Sequence, residues 1–205
     1  MLELKYGTIE GIREDDGYVF KGIPYAKPPI GNLRWKPTSS LTEDDYWTDY
    51  RKTDQFGSMC MQRNMLTYEA EGSEDCLYIN VWTPTVNNRS NLPVMVYIHG
   101  GDLVALSGNV PGYSPTTKLA VETNMVHVSF NYRLNAFGYL ALESFSRQSE
   151  SGKSGNYGLW DQLEALRWIQ QNIQQFGGNP GHVTVYGHSS GATSVFALLG
   201  TSLSN

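Results

Sequence analysis

The feature that most constrains this chain is a pentapeptide, Gly187-His188-Ser189-Ser190-Gly191, set between a strand-like run and a helix-like run. Val183-Thr184-Val185-Tyr186 precedes it with β-branched and aromatic residues. Ala192, Val195, Phe196, Ala197 and Leu198 follow as a small-residue, apolar helix. A chain that passes from strand to helix in so few residues turns so tightly that side chains two positions either side of the serine would collide with the neighbouring elements. Gly187 and Gly191 meet that demand. The turn thrusts a hydroxyl out at the carboxyl end of a strand and above a helix N-terminus, whose dipole favours developing negative charge. Such spacing also arises by chance in plain glycine turns. The strand before it and the helix after it make Ser189 the candidate nucleophile, with His188 as its neighbour in the elbow.

The rest of the chain reads as an α/β fold. Leu77-Tyr78-Ile79-Asn80-Val81-Trp82, Val94-Met95-Val96-Tyr97-Ile98 and Met125-Val126-His127-Val128-Ser129-Phe130 are further strands. Their near-continuous apolar character is what a sheet covered on both faces requires. Leu163, Leu166, Ile169 and Ile173 recur at three- and four-residue spacing, which predicts a helix over 159–176 stopped by Gly177-Gly178-Asn179-Pro180. Alternation of strand and helix implies a mostly parallel central sheet with helices on both faces. Before it, Thr8-Ile9-Glu10, Tyr18-Val19-Phe20 and Gly22-Ile23-Pro24 read as an N-terminal antiparallel ribbon, and residues 26–58 as irregular surface structure. No linker or repeat divides the 205 residues, so 1–205 is expected to belong to a single domain.

Composition excludes several partners. The 20 acidic and 15 basic side chains are spread without blocks, so no basic face for nucleic acid is expected. No apolar stretch approaches the roughly 20 residues that span a bilayer. The first residues lack the apolar core of a secretory signal. An N-glycosylation acceptor pattern, Asn88-Arg89-Ser90, has meaning only in the secretory route. Cys60 and Cys76 are the only cysteines, and their number alone leaves free thiols and a bridge both open. No metal-ligand pattern and no cofactor motif is found. His99-Gly100-Gly101 at a strand end is not a phosphate loop, because no Gly-Lys-Ser/Thr follows.

The sequence resembles the N-terminal portion of the type-B carboxylesterases, the cholinesterase/carboxylesterase family with the α/β-hydrolase fold. The resemblance runs through Phe20-Lys21-Gly22-Ile23-Pro24-Tyr25-Ala26, Leu33-Arg34-Trp35, Ser73-Glu74-Asp75-Cys76-Leu77-Tyr78, Asn131-Tyr132-Arg133, Phe137-Gly138, Asn156-Tyr157-Gly158-Leu159-Trp160-Asp161-Gln162, Phe176-Gly177-Gly178-Asn179-Pro180 and the elbow. It implies hydrolysis of small-molecule carboxylic esters by Ser189 through an acyl-enzyme, without cofactor. Backbone N–H groups of Gly101, Asp102 and Ser190 are then the oxyanion donors. It also implies a Cys60–Cys76 disulfide, and structural ion pairs joining Arg34 to Glu74 and Arg133 to Asp161. The implied disulfide points to the secretory route, while the missing signal leaves the cytoplasm open. Non-catalytic, neuroligin-like adhesion proteins share this scaffold and are the alternative.

Three departures from the family pattern matter. Residues 61–75 contain no tryptophan to receive a choline-type cation, and His188 stands where glutamate is usual, so neutral esters are expected. Asp102 replaces a small residue. An ionised carboxylate about 4 Å from the oxyanion would oppose the tetrahedral intermediate by up to about 4 kcal/mol at an effective dielectric of 20. Turned to solvent or bonded to His188, it would oppose it far less; facing the site, it could instead orient water toward adducts on Ser189. Finally, the family's acid and histidine lie far downstream, whereas 14 residues follow Gly191 here. His99, His127, His182 and His188 each have a local explanation, so the 205 residues alone are expected to be inactive.

Overall fold

Ile79, Val81, Val94, Val96, Ile98 and Val128 are fully buried, and the strands that carry them form the middle of a six-stranded sheet. The structure is a computed structural model and describes residues 1–201; residues 202–205, in the segment read as leaving the last helix, lie outside the described residues. The described residues form eleven strands: β1 (Leu2–Leu4), β2 (Gly7–Glu10), β3 (Ile12–Glu14), β4 (Gly17–Pro24), β5 (Arg51–Lys52), β6 (Gln62–Arg63), β7 (Ala70–Glu71), β8 (Tyr78–Thr83), β9 (Leu92–Ile98), β10 (Val126–Phe130) and β11 (Gly178–Gly187). The α-helices are α1 (Thr117–Thr123), α2 (Asn135–Tyr139), α3 (Glu143–Gln148), α4 (Tyr157–Asn172) and α5 (Ser190–Leu199).

The large sheet runs β11-β9-β10-β8-β4-β3. β9 pairs in parallel with both β10 and β11, whereas the pairings of β8, β4 and β3 are antiparallel. The α/β class is as expected; within these residues two of the five pairings in the sheet are parallel and three antiparallel, the parallel ones confined to the strands that crossover helices connect. Successive side chains point to opposite faces. Val19 and Trp82 therefore meet Ala120 of α1 on one face. Phe20, Val81 and Val96 join Trp168, Ile169 and Phe176 in the main core on the other. Each of these larger side chains contributes about 1.5–3 kcal/mol by leaving water.

Two elements differ from the sequence reading. The N-terminal ribbon divides: β2 pairs with β1 and β5, while Tyr18-Val19-Phe20 and Ile23-Pro24 form one strand of the main sheet. The break falls at Gly11, where an added Cβ would stand 2.5 Å from the Phe20 ring, so only glycine lets the chain pass from one sheet to the other. The long helix starts at Tyr157 and tightens to a 3-10 turn over Ile173–Phe176, ending on Gly177 at φ 82°. Glycine has no Cβ to oppose that left-handed cap.

Candidate active site

Ile98 at the end of β9 is in register with Gly187 at the end of β11, so the two loops that follow leave the same edge of the sheet side by side. The first carries His99-Gly100-Gly101-Asp102, the second the Ser189 elbow. Ser189 has φ 56° and ψ −128°, a conformation costly for any residue with a side chain. It is the N-cap of α5, whose first turn closes by Gly191 N–H and Ala192 N–H donating to the His188 and Ser189 carbonyls, each at 2.9 Å. A Cβ on Gly191 would overlap the Ile98 carbonyl oxygen, and one on Gly187 would overlap Gly191 itself. A Cβ on Gly100 would stand 2.7 Å from the His188 carbonyl and 3.1 Å from Ser189 Cβ. The two loops thus touch through glycine backbone, which brings the donor loop against the serine.

The backbone N–H groups of Gly101, Asp102 and Ser190 donate to no acceptor among the described residues. Ser190 opens α5, where the first N–H groups lack intrahelical partners. Gly101 has φ 103°, a conformation closed to other residues, and its carbonyl accepts from Val104 and Ala105 N–H at 2.9 and 3.0 Å. That turn holds the Gly101 and Asp102 peptides beside the elbow. Backbone donors left free on two touching loops suit an oxygen that gains negative charge.

Asp102 is exposed, and its carboxylate has no hydrogen bond or ion pair among the described residues. The Asp102–His188 bond considered from sequence does not form: the His188 ring lies against Tyr113, ring centres 5.3 Å apart. With the carboxylate in water, the Coulomb opposition at 4 Å is about 1 kcal/mol rather than 4.

No histidine or carboxylate bonds the Ser189 hydroxyl among the described residues. His99 is buried, stacked on Tyr132 at 4.3 Å, with Nδ1–H donating to the Gly100 carbonyl at 2.8 Å. Burial lowers its pKa to about 4, so the ring is a neutral brace for the donor loop. The Tyr132 hydroxyl donates to the His99 carbonyl at 2.7 Å and extends that brace. His127 Nε2 bonds Thr123 Oγ1, and burial lowers its pKa too. His182 lies exposed in β11.

The remaining sequence-predicted residues are structural in geometry. Cys60 and Cys76 form a disulfide. Arg34 and Glu74 make a two-pronged pair, Nη2 to Oε1 at 2.6 Å. Asp161 is fully buried and accepts from Arg133 Nε and Nη2 at 2.8 Å, from Arg133 N–H at 2.9 Å and from Thr38. Its oxygens are thereby committed to holding the chain. Within the disulfide-closed loop, the Arg63 guanidinium lies over one face of the exposed Tyr68 ring at 4.7 Å. A cavity of about 570 Å³ lies elsewhere, among Trp35, Phe145, Tyr157 and Trp160, and does not include Ser189.

Several contributors were not read from the sequence. Gln162 Nε2 donates to Ser194 Oγ, which donates to the Ser190 carbonyl, both at 3.1 Å, fixing the first turn of α5. Gln62 bonds the donor loop, and Tyr113 holds His188. These partners lie 32 to 75 positions apart, so local pattern carries no signal of them. For Gln62 the available hint was its place two residues after Cys60.

A strand–serine–helix elbow facing a donor loop on the neighbouring parallel strand defines an α/β-hydrolase fold. The chain belongs to the carboxylesterase family, whose model matches residues 1–205. It is 42% identical over 204 residues to the para-nitrobenzyl esterase of Bacillus subtilis, covering 97% of this chain and 40% of that protein. To the fumonisin B1 esterase of Sphingopyxis macrogoltabida it is 41% identical over 201 residues, covering 97% of this chain and 36% of that protein. A Geobacillus stearothermophilus carboxylesterase structure superposes on all of the chain with a TM-score of 0.90 at 38% identity, using 40% of its own length. The chain thus spans two-fifths or less of these relatives. Another relative, Neurotactin of Drosophila melanogaster, is 40% identical over 195 residues, 94% of this chain and 23% of that protein.

Proposed function

We propose that this chain supplies the nucleophile and oxyanion donors of a carboxylic-ester hydrolase acting on small, neutral esters. The observation that carries the reading is that three N–H groups, on Gly101, Asp102 and Ser190, lack an acceptor among the described residues, on two loops that touch beside a serine held at φ 56°. In this mechanism Ser189 Oγ attacks the ester carbonyl and its proton passes to a general base. The carbonyl oxygen takes up the negative charge against the three donors. Collapse releases the alcohol and leaves an acyl-serine, which water hydrolyses to the acid. The absence of a base bonded to Ser189 among the described residues supports assigning the triad histidine and acid to sequence outside residues 1–201.

The test is hydrolysis of 4-nitrophenyl butyrate by the polypeptide as the gene encodes it, start to stop codon. Turnover is expected, with loss of about 10⁴-fold or more in Ser189→Ala. The 205 residues alone are expected to show none; Ser189-dependent turnover by them would place the base within this chain. A non-catalytic binding role is the second reading, favoured by the similarity to Neurotactin, a name that specifies no ester chemistry. The intact Gly187–Gly191 elbow favours hydrolysis over it.

The buried disulfide fits an oxidising compartment, and we place the protein in the secretory route. Asn88 is exposed in the turn between β8 and β9, so secretory expression should attach a glycan removable by an N-glycosidase and absent in Asn88→Gln.

A further inference from the structure

We infer that Gln62 is a positioning residue: it clamps the donor loop after β9 to the disulfide-closed loop, so that the Cys60–Cys76 link sets where the oxyanion donors stand. This rests on the role given above to the Gly101 and Asp102 N–H groups. Gln62 is 7% exposed. Its carboxamide nitrogen donates to the Leu106 and Cys60 carbonyls, each at 3.0 Å. Its carboxamide oxygen accepts from Leu106 N–H at 2.8 Å. One side chain therefore satisfies both main-chain polar groups of Leu106, as a neighbouring strand would, and ties them to a half-cystine.

The loop needs such a clamp. Asp102, Leu103 and Leu106 have φ of 55°, 63° and 74°, each disfavoured by contact between Cβ and the backbone. Left free, these residues would relax toward negative φ and rotate the peptides that carry the donors. A second tie comes from the same side: Asn135 N–H donates to the Leu103 carbonyl and Asn135 Nδ2 to the Met61 carbonyl, both at 2.7 Å. Gln62 and Met61 are in turn held by Cys60, which is buried and covalently joined to Cys76 next to β8. Without that bond the loop is retained by the short ribbon of β6 against β7, by the backbone bonds of Ser73 to Met59 and Met61, and by Arg34–Glu74 near its base. Only a carboxamide of this length offers a donor and an acceptor side by side. Glutamate would set an acceptor against the Leu106 carbonyl, and methionine would leave both peptide groups unpaired.

The experiment is amide hydrogen exchange over residues 101–110 of the gene-encoded polypeptide, for the parent, Gln62→Met and the parent reduced by a phosphine. Protection of the Leu106 amide is expected to fall about tenfold or more in both altered forms, with β9 and β10 unchanged. In ester hydrolysis, kcat is expected to fall about 10- to 100-fold with KM within about twofold, because oxyanion donors act in the transition state. Unchanged Leu106 exchange overturns the clamp, as does a loosened loop with unchanged kcat. Reduction makes the same comparison without a substitution, should Gln62→Met fail to fold. If the parent shows no Ser189-dependent hydrolysis, the reading of the site fails, and Leu106 exchange alone decides the clamp.

Discussion

Gly191, in the first turn of α5, lies directly against the carbonyl oxygen of Ile98 at the end of β9, with no room between them for a Cβ. The contact joins the helix that follows Ser189 to the strand that leads into Gly101 and Asp102. Ile98 is fully buried in the sheet and cannot retreat. Gly191→Ala must therefore push the helix and Ser189 outward. Overpacking of this kind costs about 1–3 kcal/mol. The expected result is a lower unfolding midpoint together with loss of Ser189-dependent hydrolysis; an unchanged midpoint would show that the elbow gives way freely.

Arg133 and Asp161 form the most buried ion pair among the described residues, with side chains 4% and 0% exposed. Removing one partner strands the other charge, at a cost of about 3–5 kcal/mol. Asp161→Asn is expected to lower the thermal midpoint by about 6 °C or more, given about 2–4 °C per kcal/mol for a chain of this size. Calorimetry of the variant against the parent measures it.

His99 gives stability a defined pH dependence. Its folded-state pKa is about 4, below the ordinary value of 6.5, because burial disfavours the charged ring. Between those values the unfolded chain binds the proton and the folded chain does not. Stability from this group is thus fully present above pH 6.5 and is lost as pH falls toward about 4, by roughly 3 kcal/mol in all. His127 acts in the same direction. Urea midpoints at pH 7, 5.5 and 4.5 should fall less steeply in His99→Phe than in the parent, and equal slopes would assign the effect elsewhere.

Asp102 is exposed, which decides between the two magnitudes derived for it. A solvated carboxylate at about 4 Å opposes the oxyanion by about 1 kcal/mol, a factor of about five. Asp102→Gly is expected to raise kcat/KM by no more than that, with a smaller gain at high salt. A gain near a thousandfold would mean that the carboxylate faces the oxygen during turnover.

Phe196 and Leu199 on α5 are 76% and 74% exposed, beside β11, the edge strand among the described residues. An apolar helix face next to an open edge favours association between chains. Phe196→Ser with Leu199→Ser in the 205-residue chain should reduce light scattering at equal concentration.

The parts legible in the sequence were those encoded by neighbours. The strand at Val94, the helix through Leu163 and Ile169, and the glycines about Ser189 all follow from local period or local sterics. The division of the N-terminal ribbon was not legible, since it turns on Gly11 meeting Phe20 across a fold not yet formed. The direction of Asp102 depends on positive φ at a residue that tolerates it, which pattern does not disclose. Gln62 offered only its place two residues after Cys60, because its partner Leu106 is 44 positions away.

The order of strands also sets a timetable. β9 is flanked on one side by β10 and on the other by β11, yet β11 begins about 80 residues after β9 ends. At about 5–20 residues per second, a ribosome leaves that side of β9 bare for roughly 4–16 seconds. The seam awaiting closure is the one at whose end Gly101, Asp102 and Ser189 stand. Within these residues the chain therefore brings β11 and its serine to β9 only after β3, β4, β8 and β10 have been made, and depends meanwhile on whatever shields an open strand from its neighbours.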